Sequence, residues 1–268
     1  MSIERRSGVS IVIPAYNEEQ RLPHTLNELR QYREAFAGDF EVLVVDDGST
    51  DGTAALIRSL AAAMPWVSVL QLPHRGKGAA VRAGMLAARN ERVVLCDADL
   101  SMPVNQFNRL LDAIDRGCDV AVGSRALPGS HLYEDPLKRR IMSKVFNFLV
   151  RTLVIGGLKD TQCGFKAFKR SVARDLFVRQ TIDGFSFDVE ILYLARKREY
   201  IVEEIAIDWY FDANSRVRAG HDTLHMVGDL VRIRMKTVVG AYGYAGKLPM
   251  GGMPLQVETA SGVAQVGE

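Results

Sequence analysis

The sequence predicts an α/β protein with a mainly parallel sheet flanked by helices. Two observations predict this fold: short apolar runs alternate with segments of helical periodicity up to residue 123, and polar clusters follow directly after three of those runs. Strands separated by helices of this length are joined by right-handed crossovers, so neighbouring strands run parallel. A length of 268 residues, with 47% hydrophobic and 25% charged residues, suits one domain with a sizeable core.

The first strand and helix are predicted from residues 9–36. The β-branched run of residues 9–13 is typical of a strand, and Pro14 ends it because proline cannot donate a backbone hydrogen bond. Apolar residues then recur at helical spacing, which predicts a helix over residues 18–36.

Two further strand–helix units show the same signals. Apolar runs predict the strands, the polar residues 49–51 predict a helix cap, and a glycine opens the next helix. The predicted elements are strand 40–45, a helix from that cap to Leu60, strand 67–72 and a helix from Gly76 to Ala88.

The rest of the chain is predicted to complete the sheet and to add amphipathic helices. The predicted elements are strand 92–96, a helix from Pro103 to Arg116, strand 119–123 and helices 137–155, 189–198 and 222–238. One domain therefore spans residues 1–240. Residues 241–268 have no periodicity and little apolar surface to bury, so a disordered tail is predicted there.

Composition narrows the classes of function. A net charge of +2 argues against a general nucleic-acid binder. The three cysteines lack metal-ligand spacing, which favours buried thiols in a reducing compartment. No apolar stretch follows the charged residues at the N-terminus, and no run reaches the ~18 apolar residues of a spanning helix. We expect a cytoplasmic protein that can contact a membrane from that side.

Acidic residues follow two of the predicted strands. Asp97-Ala98-Asp99 comes directly after the fourth strand, and Asp46-Asp47 ends the second. An isolated Asp-x-Asp is more often part of a solvated turn than of a metal site. The carboxyl ends of parallel strands share one edge of the sheet, however, where residues 14–18 also lie. The clustering predicts a ligand site whose hard oxygen atoms suit Mg²⁺ or Mn²⁺.

A glycine-rich segment follows the third predicted strand. In Arg75-Gly76-Lys77-Gly78 the glycines allow backbone N–H groups to approach a phosphate, and Lys77 adds positive charge. The segment lacks the spacing of a full phosphate-binding loop. Two interpretations stay open: an anion-binding nest, or a flexible turn that caps a helix.

These segments, with several later ones, resemble the inverting family 2 glycosyltransferases, which have the Rossmann-like GT-A fold. The resemblance is carried by residues 12–18, 45–53, 75–82, 97–99, 123–125, 160–166 and 187–190. Within the family the chain is most similar to the dolichyl-phosphate (polyprenyl-phosphate) β-glucosyltransferases, through residues 75–82 and 160–166. The mannosyltransferases that use dolichol phosphate are less similar. The resemblance implies metal-dependent transfer of glucose from UDP-glucose to a polyprenyl phosphate.

The resemblance also implies a donor site. The implied nucleotide-sugar-binding residues are Pro14, Tyr16, Glu18, Val45, Asp47, Lys77, Asp97, Ala98 and Asp99. Tyr16 is expected near the base, and Glu18 or Asp47 at the ribose hydroxyls. Asp99, with Asp97, is expected to hold the Mg²⁺ or Mn²⁺ ion.

Two positions of this donor site keep an open question. The ordinary alternative for Tyr16 is a loop tyrosine packed on a neighbour. Ser101 stands where related mannosyltransferases often have glutamine, so the resemblance does not supply a second protein ligand there.

The implied catalytic and acceptor residues lie further along the chain. The catalytic residues are Asp99, Arg125, Arg139 and Asp188, and the acceptor phosphate is expected to face Arg125, Arg139 and Arg216. A solvated surface charge is the ordinary alternative for each arginine. Asp188 and Glu190, at the start of helix 189–198, are candidates to shape the sugar pocket or supply a base, and capping of that helix is the alternative for Asp188. A lipid phosphate is already ionised and needs no general base, whereas a hydroxyl acceptor does.

Residues 137–155 carry the argument for a membrane partner. Arg140, Lys144, Asn147 and Arg151 recur on one helical stripe, and no acidic residue occurs between Pro136 and Lys159. This composition is typical of a helix on an anionic lipid surface. The alternative is an ordinary helix packed on the sheet. Helix 222–238 ends in basic residues that either extend the same surface or offset the helix dipole.

Three hypotheses follow. The first is a peripheral membrane glucosyltransferase that uses UDP-glucose and a polyprenyl-phosphate acceptor. The second is another family 2 enzyme, using GDP-mannose or a soluble acceptor. The third is a nucleotide-sugar binding module without activity, against which the intact Asp97, Asp99 and Arg125 count.

Overall fold

Eleven strands and eight helices occur in the part of the chain that the structure, a computed structural model, describes: residues 8–133, 137–211, 221–242, 255–259 and 262–266. The strands are β1 Val9–Ala15, β2 Phe40–Asp46, β3 Val67–Gln71, β4 Arg92–Leu95, β5 Val120–Ser124, β6 His131–Tyr133, β7 Lys166–Lys169, β8 Val202–Ala206, β9 Asp208–Tyr210, β10 Leu255–Thr259 and β11 Gly262–Val266. The helices are α1 Leu22–Ala35, α2 Thr53–Ala63, α3 Lys77–Ala87, α4 Phe107–Asp115, α5 Leu137–Leu153, α6 Arg170–Val178, α7 Phe187–Lys197 and α8 His221–Val238.

The main sheet has the strand order β11-β10-β3-β2-β1-β4-β7-β5-β8. Strands β3, β2, β1 and β4 are mutually parallel, and β8 is parallel to β5. The prediction of a mainly parallel α/β sheet with flanking helices is confirmed. A separate parallel pair, β6 with β9, follows directly after β5 and β8 and forms a short ribbon.

Strand β7 was not predicted, and it separates two predicted strands. It runs antiparallel between β4 and β5, which sequence order alone would place side by side. Its sequence, Lys-Ala-Phe-Lys, has a lysine at each end and therefore does not resemble a central strand. Lys166 is nevertheless buried, because it has an ionic partner within the protein.

Helices cover both faces of the sheet. Along β1, Val12 belongs to one buried cluster, which includes side chains of α3, α6 and α7, whereas Ile11 and Ile13 belong to a second cluster with α1 and α4. This separation follows from the alternation of side chains along a strand. The three cysteines, all free thiols, are buried, as predicted.

Two helix starts differ from the predictions. Helix α1 begins at Leu22 rather than at residue 18, because the preceding residues are hydrogen-bonded to the loop after β2. The helix predicted from Pro103 opens with a 3₁₀ turn, Val104–Gln106, before α4.

Two segments of the stretch predicted as a disordered tail are strands, residues 255–259 and 262–266. Strands β10 and β11 pair antiparallel, and β10 also pairs with the edge strand β3, Val257 opposite Leu70. The alternating sequence Leu-Gln-Val-Glu-Thr suits a strand, and β3 offers an edge with backbone groups to pair.

Within the described ranges we find no helix that is both long and apolar enough to cross a membrane.

Candidate functional site

The loops after β1 and β2 are hydrogen-bonded to each other. Asn17 has a left-handed backbone, φ 56°, and its side-chain Oδ1 accepts a hydrogen bond of 2.8 Å from the backbone N–H of Thr50. The N–H of Asn17 donates to Ser49 Oγ, and that of Glu18 donates to Thr53 Oγ1, each at 2.8 Å. The two polar clusters predicted at this edge of the sheet therefore form one structural unit.

Asp47 organises the loop after β3. Its carboxylate accepts hydrogen bonds from the backbone N–H groups of Arg75 and Gly76 at 2.9 and 2.8 Å, and His74 Nδ1 lies 2.9 Å away. The His74 ring stacks on Tyr16, with the ring centroids 4.2 Å apart. Asp47 was expected to accept hydrogen bonds from ribose hydroxyls. In the structure its carboxylate fixes the loop after β3.

The glycine-rich segment is packed rather than flexible. A Cβ on Gly78 would lie 2.6 Å from the carbonyl oxygen of Ile182, and Gln180 Nε2 donates to the carbonyl of Gly78 at 2.8 Å. Gly76 has φ +124°, and Arg75 forms an ion pair with Asp183 at 2.7 Å. Residues 180–184, more than a hundred positions away in sequence, hold this loop against the start of α3.

A cluster of charged side chains lies where β4 ends. Lys77 Nζ is 2.6 Å from Asp97 Oδ1, and Lys166 Nζ is 2.5 Å from Asp188 Oδ1. Asp99 accepts a hydrogen bond of 3.0 Å from the backbone N–H of Ser101. Three carboxylates thus share this region with two ammonium groups, and α3, β4, β7 and α7 each contribute to it.

The surroundings shift the pKa values within this cluster. Burial raises the pKa of Asp99, and the neighbouring Asp97 raises it further. Burial also raises the pKa of Asp188, although Lys166 and Lys77 act in the opposite direction. Burial opposes the charge on Lys77, but attraction to Asp97 and the other two carboxylates outweighs it and raises the pKa of Lys77. When all three carboxylates are ionised, they outnumber the two ammonium groups and the cluster has an excess of negative charge.

Arg125, at the end of β5, is held by a buried carboxylate. Its Nε and Nη2 atoms donate to the two oxygens of Asp160 at 2.7 and 3.0 Å, and its guanidinium lies 5.6 Å from the centre of the Trp209 ring. Burial would raise the pKa of Asp160, but the Arg125 charge and the hydrogen bonds that Arg125 donates together outweigh burial and lower the pKa. Arg125 is thus oriented within the site, and its contact with an acceptor phosphate stays a prediction.

The comparisons with known proteins agree with this arrangement. The model of the family described as glycosyl transferase family 2 matches residues 10–177, more than half of the chain. The chain belongs to this family.

Several curated relatives of this family 2 glycosyltransferase carry one name. The chain is 38% identical over 256 residues to a dolichyl-phosphate beta-glucosyltransferase of Drosophila melanogaster, covering 88% of this chain and 77% of that protein. The proteins of that name from Dictyostelium discoideum and Homo sapiens are each 34% identical, covering 87% of this chain and 76% and 77% of theirs.

Solved structures support the fold alone. Glucosyl-3-phosphoglycerate synthase of Mycobacterium tuberculosis superposes with a TM-score of 0.63 at 19% identity, covering 93% of this chain and 84% of that one. Mannosyl-3-phosphoglycerate synthase of Rubrobacter xylanophilus gives a TM-score of 0.62 at 17% identity, covering 97% of this chain and 86% of that one. Another structure of the mycobacterial enzyme contains Mn²⁺, UDP-glucose and phosphoglyceric acid.

The other predicted site residues fall into two groups. Pro14 and Val45 are opposite each other on β1 and β2, and the carbonyl of the buried Ala98 accepts a hydrogen bond from Thr25 Oγ1 at 2.6 Å, so these residues shape the backbone. Arg216 and the side chain of Arg139 lie outside the described residues.

Two acidic residues of α7 differ from what sequence suggested. Asp188 does not cap the helix with its side chain, since it binds Lys166. Glu190, considered for the sugar pocket or as a base, is fully buried. It accepts hydrogen bonds from the backbone N–H groups of Thr181 and Ile182, both at 2.9 Å, so it holds the loop that packs on Gly78.

Three contributors were not found from the sequence. Asp160 and Lys166 stood in a motif segment without assigned roles, and His74 carried no signal. A lysine within an otherwise apolar run, three residues after a buried cysteine, is the one local sign that β7 contains a buried charge.

We predict that Gly78→Ala lowers both stability and activity. The added Cβ would overlap backbone atoms of residues 182–184, and such overpacking typically costs about 1–3 kcal/mol. Gly228→Ala in α8 is the control, because its Cβ would meet open space and alanine favours a helix. Chemical denaturation and turnover assays would measure both variants. Equal effects of the two substitutions would contradict the packing assigned to the loop.

The buried Lys166–Asp188 pair gives a second prediction. Lys166→Met should lower the free energy of unfolding by about 3–5 kcal/mol, since Asp188 then stays buried without its cation. The double variant Lys166→Met/Asp188→Leu should recover most of that loss. Arg116→Met, which breaks an exposed ion pair with Glu203, should change it by less than about 1 kcal/mol.

The pH dependence of the free energy of unfolding of Lys166→Met tests whether ionised Asp188 causes the loss of stability. Without the lysine, the folded-state pKa of Asp188 rises further above its unfolded value, so its ionised form destabilises the fold at neutral pH. Acid removes that penalty by protonating the carboxylate. The gap to wild type should therefore narrow as the pH falls from 7 to 5, and a gap that widens would contradict the assignment.

Proposed function

We propose that this family 2 glycosyltransferase transfers glucose from UDP-glucose to a polyprenyl phosphate, with inversion to a β-linked product. The observation that carries the proposal is the position of the Asp97–Asp99 loop, between the Lys77 loop on one side and the Asp160-held Arg125 on the other. The names of the relatives support glucosyl transfer and a dolichyl-phosphate acceptor.

The donor is proposed to lie along the ends of β1, β2 and β4. Tyr16 and His74 offer a stacked aromatic surface for the base, and Lys77 is placed to neutralise part of the diphosphate charge. The packed Gly76–Gly78 loop brings backbone close to this position. Because Asp47 fixes that loop, we expect donor binding to require little rearrangement.

A divalent cation fits the residues present. Among the described residues no group of three or more His, Cys, Asp and Glu side chains forms a closed metal site. Asp97 and Asp99 supply hard carboxylate oxygens in a cluster with an excess of negative charge. Two carboxylates would fill only part of the coordination shell of the cation, so its other positions would be open to diphosphate oxygens. When bound there, Mg²⁺ or Mn²⁺ would supply positive charge to the leaving diphosphate.

The acceptor is proposed to be an anion that needs no general base. An ionised phosphate oxygen attacks the anomeric carbon opposite the departing UDP, which inverts the configuration there. Asp188, the predicted candidate for a base, is buried and bound to Lys166. Because Asp188 is paired with Lys166, the site favours an acceptor that is already ionised over a hydroxyl, whose proton must be removed.

The proposed acceptor requires a membrane partner, and α5 has the surface for one. Ile141, Val145 and Phe148 are exposed by 54%, 55% and 67%, and the basic Lys144 and Arg151 lie exposed beside them. Asn147 turns inward instead, where Thr161 Oγ1 donates to its side chain at 3.1 Å. We propose reversible contact of this face with an anionic, cytoplasmic membrane surface.

Helix α8 supports the same proposal. It contacts α5, and its Val231, Met235 and Val238 side chains are exposed at positions one turn apart. Arg232 and Arg234 are exposed beside them. Exposed apolar residues flanked by basic ones are the pattern that binds anionic lipid surfaces.

The donor prediction is tested with nucleotides and sugars. In the presence of Mg²⁺, UDP should raise the melting temperature more than GDP at equal concentration, because preferential binding to the native state stabilises it. Radiolabelled UDP-glucose with farnesyl phosphate should give a glucosylated lipid. A larger shift with GDP, and transfer from GDP-mannose, would move the assignment to the mannosyl branch.

The metal prediction is tested with Asp99→Asn. The amide keeps an oxygen for the Ser101 N–H but removes a charge that burial and Asp97 disfavour. Since the raised pKa means that ionised Asp99 destabilises the fold at neutral pH, the variant should be at least as stable as wild type there. Turnover should fall by about 100-fold or more, the scale of losing a charge-stabilising contact in the transition state. Metal-stimulated turnover near the wild-type level would refute the role.

The membrane prediction is tested by charge reversal. Lys144→Glu/Arg151→Glu should weaken binding to anionic vesicles and lower turnover on a long-chain lipid phosphate, while the melting shift with UDP is kept. Arg30→Glu/Arg58→Glu makes the same change of net charge at exposed positions of α1 and α2. This control should leave vesicle binding and turnover unchanged. Equal vesicle binding by both double variants would exclude α5 as the contact surface.

A further inference from the structure

The ribbon of β6 and β9 has a second aromatic pair that the donor site does not use. Tyr133 and Tyr210 are partners in the ribbon, and their rings stack with centroids 4.4 Å apart and planes within 7°. Both side chains are exposed, by 42% and 46%. Two large parallel rings on a three-residue ribbon form a flat surface of mixed apolar and hydroxyl character.

The ribbon places this pair beside the reaction centre. The backbone N–H of Tyr210 donates to the carbonyl of Ser101 at 2.8 Å, and the N–H of Ser101 donates to Asp99 at 3.0 Å. Two successive hydrogen bonds therefore connect the tyrosine strand to the Asp99 carboxylate. On the other face of the ribbon, Trp209 is buried and packs under the guanidinium of Arg125.

The pair also lies on the half of the sheet away from the nucleoside. Tyr16, Asp47 and His74 follow β1, β2 and β3, whereas β6 and β9 follow β5 and β8 on the opposite side of β4. The tyrosine pair therefore borders the half of the site that is proposed to bind the acceptor. His131 and Asp208, which form an ion pair of 2.7 Å, are partners two positions before the tyrosines in the ribbon.

Helix α5 begins shortly after the ribbon strand β6 in the sequence. Tyr133 ends β6 and Leu137 begins α5, so their Cα atoms are at most about 14 Å apart. The tyrosine pair is therefore near Arg125 through Trp209 and near the start of α5 through the chain.

We propose that Tyr133 and Tyr210 bind isoprene units of the acceptor beyond the first one from the phosphate, and so select a longer prenyl phosphate over a short phosphate ester. The inference rests on the proposed function and deepens it, because it assigns residues to acceptor selection. Stacked rings offer apolar area without a large loss of side-chain entropy, since each tyrosine has few rotatable bonds. The hydroxyl groups are not required for this role.

The experiment compares two acceptors of different length. Glucosyl transfer to dimethylallyl phosphate and to farnesyl phosphate would be measured for wild type, Tyr133→Ser/Tyr210→Ser and Tyr133→Phe/Tyr210→Phe. Wild type should prefer farnesyl phosphate. The serine variant should lose about tenfold in kcat/KM for farnesyl phosphate, mainly in KM, the scale of about two buried methylene groups. It should lose little for dimethylallyl phosphate, and the phenylalanine variant should keep the preference.

Separate outcomes overturn separate claims. The melting shift with UDP and the KM for UDP-glucose report whether the serine variant keeps the fold and the donor site. An equal loss on both acceptors, or a phenylalanine variant that behaves like the serine variant, would overturn the isoprene contact. Loss of vesicle binding with the acceptor preference kept would assign the pair to membrane contact instead. Wild type that glucosylates neither acceptor would overturn the proposed function itself.

Discussion

The structure depends most on the neutralisation of buried charge at the end of β4. Carboxylates and ammonium groups taken out of water are costly unless each has a close partner. Lys77 meets Asp97 from the start of α3, and Lys166 meets Asp188 across β7 and α7. Each pair requires its secondary-structure elements to be in place, so the positions of four elements are coupled to the same small region. A change of charge in that region is therefore also a change in how these elements pack.

Carboxylates organise both halves of the site in a similar way. After β2, Asp47 accepts hydrogen bonds from two backbone N–H groups and fixes the course of the loop after β3. After β5, Asp160 accepts hydrogen bonds from the guanidinium of Arg125 and also from its backbone N–H, the latter at 3.1 Å. Neither carboxylate needs to contact a substrate for its loss to disturb one. Substitution of Asp47 would displace the loop after β3, and substitution of Asp160 would displace Arg125, so any effect on activity would follow from that displacement.

Much of the fold was predictable because its signals are local. The strands β1 to β5 are apolar runs, and their alternation with helices is enough to predict a parallel sheet and a polar edge. Strand β7 was not predictable, since Lys166 becomes compatible with a buried strand only through Asp188, a residue 22 positions away. Glu190 gave a misleading signal for the same reason: an acidic residue near a site resembles a functional group until its partners, residues 181 and 182, are known. Local pattern reports propensity, whereas these roles depend on contacts between distant segments.

The packing of residues 180–184 on the glycine-rich loop determines how much of the chain has to be transferred together in a chimaera. The stretch matched by the family model ends at residue 177, but the backbone against which Gly76 and Gly78 are fitted begins just beyond it. Asp188 and Glu190 lie further on still. A chimaera that joins the matched stretch to a foreign C-terminal part would keep the Asp97–Asp99 loop and lose the support for the loop facing it. A graft that keeps this packing therefore has to extend through α7, to Lys197.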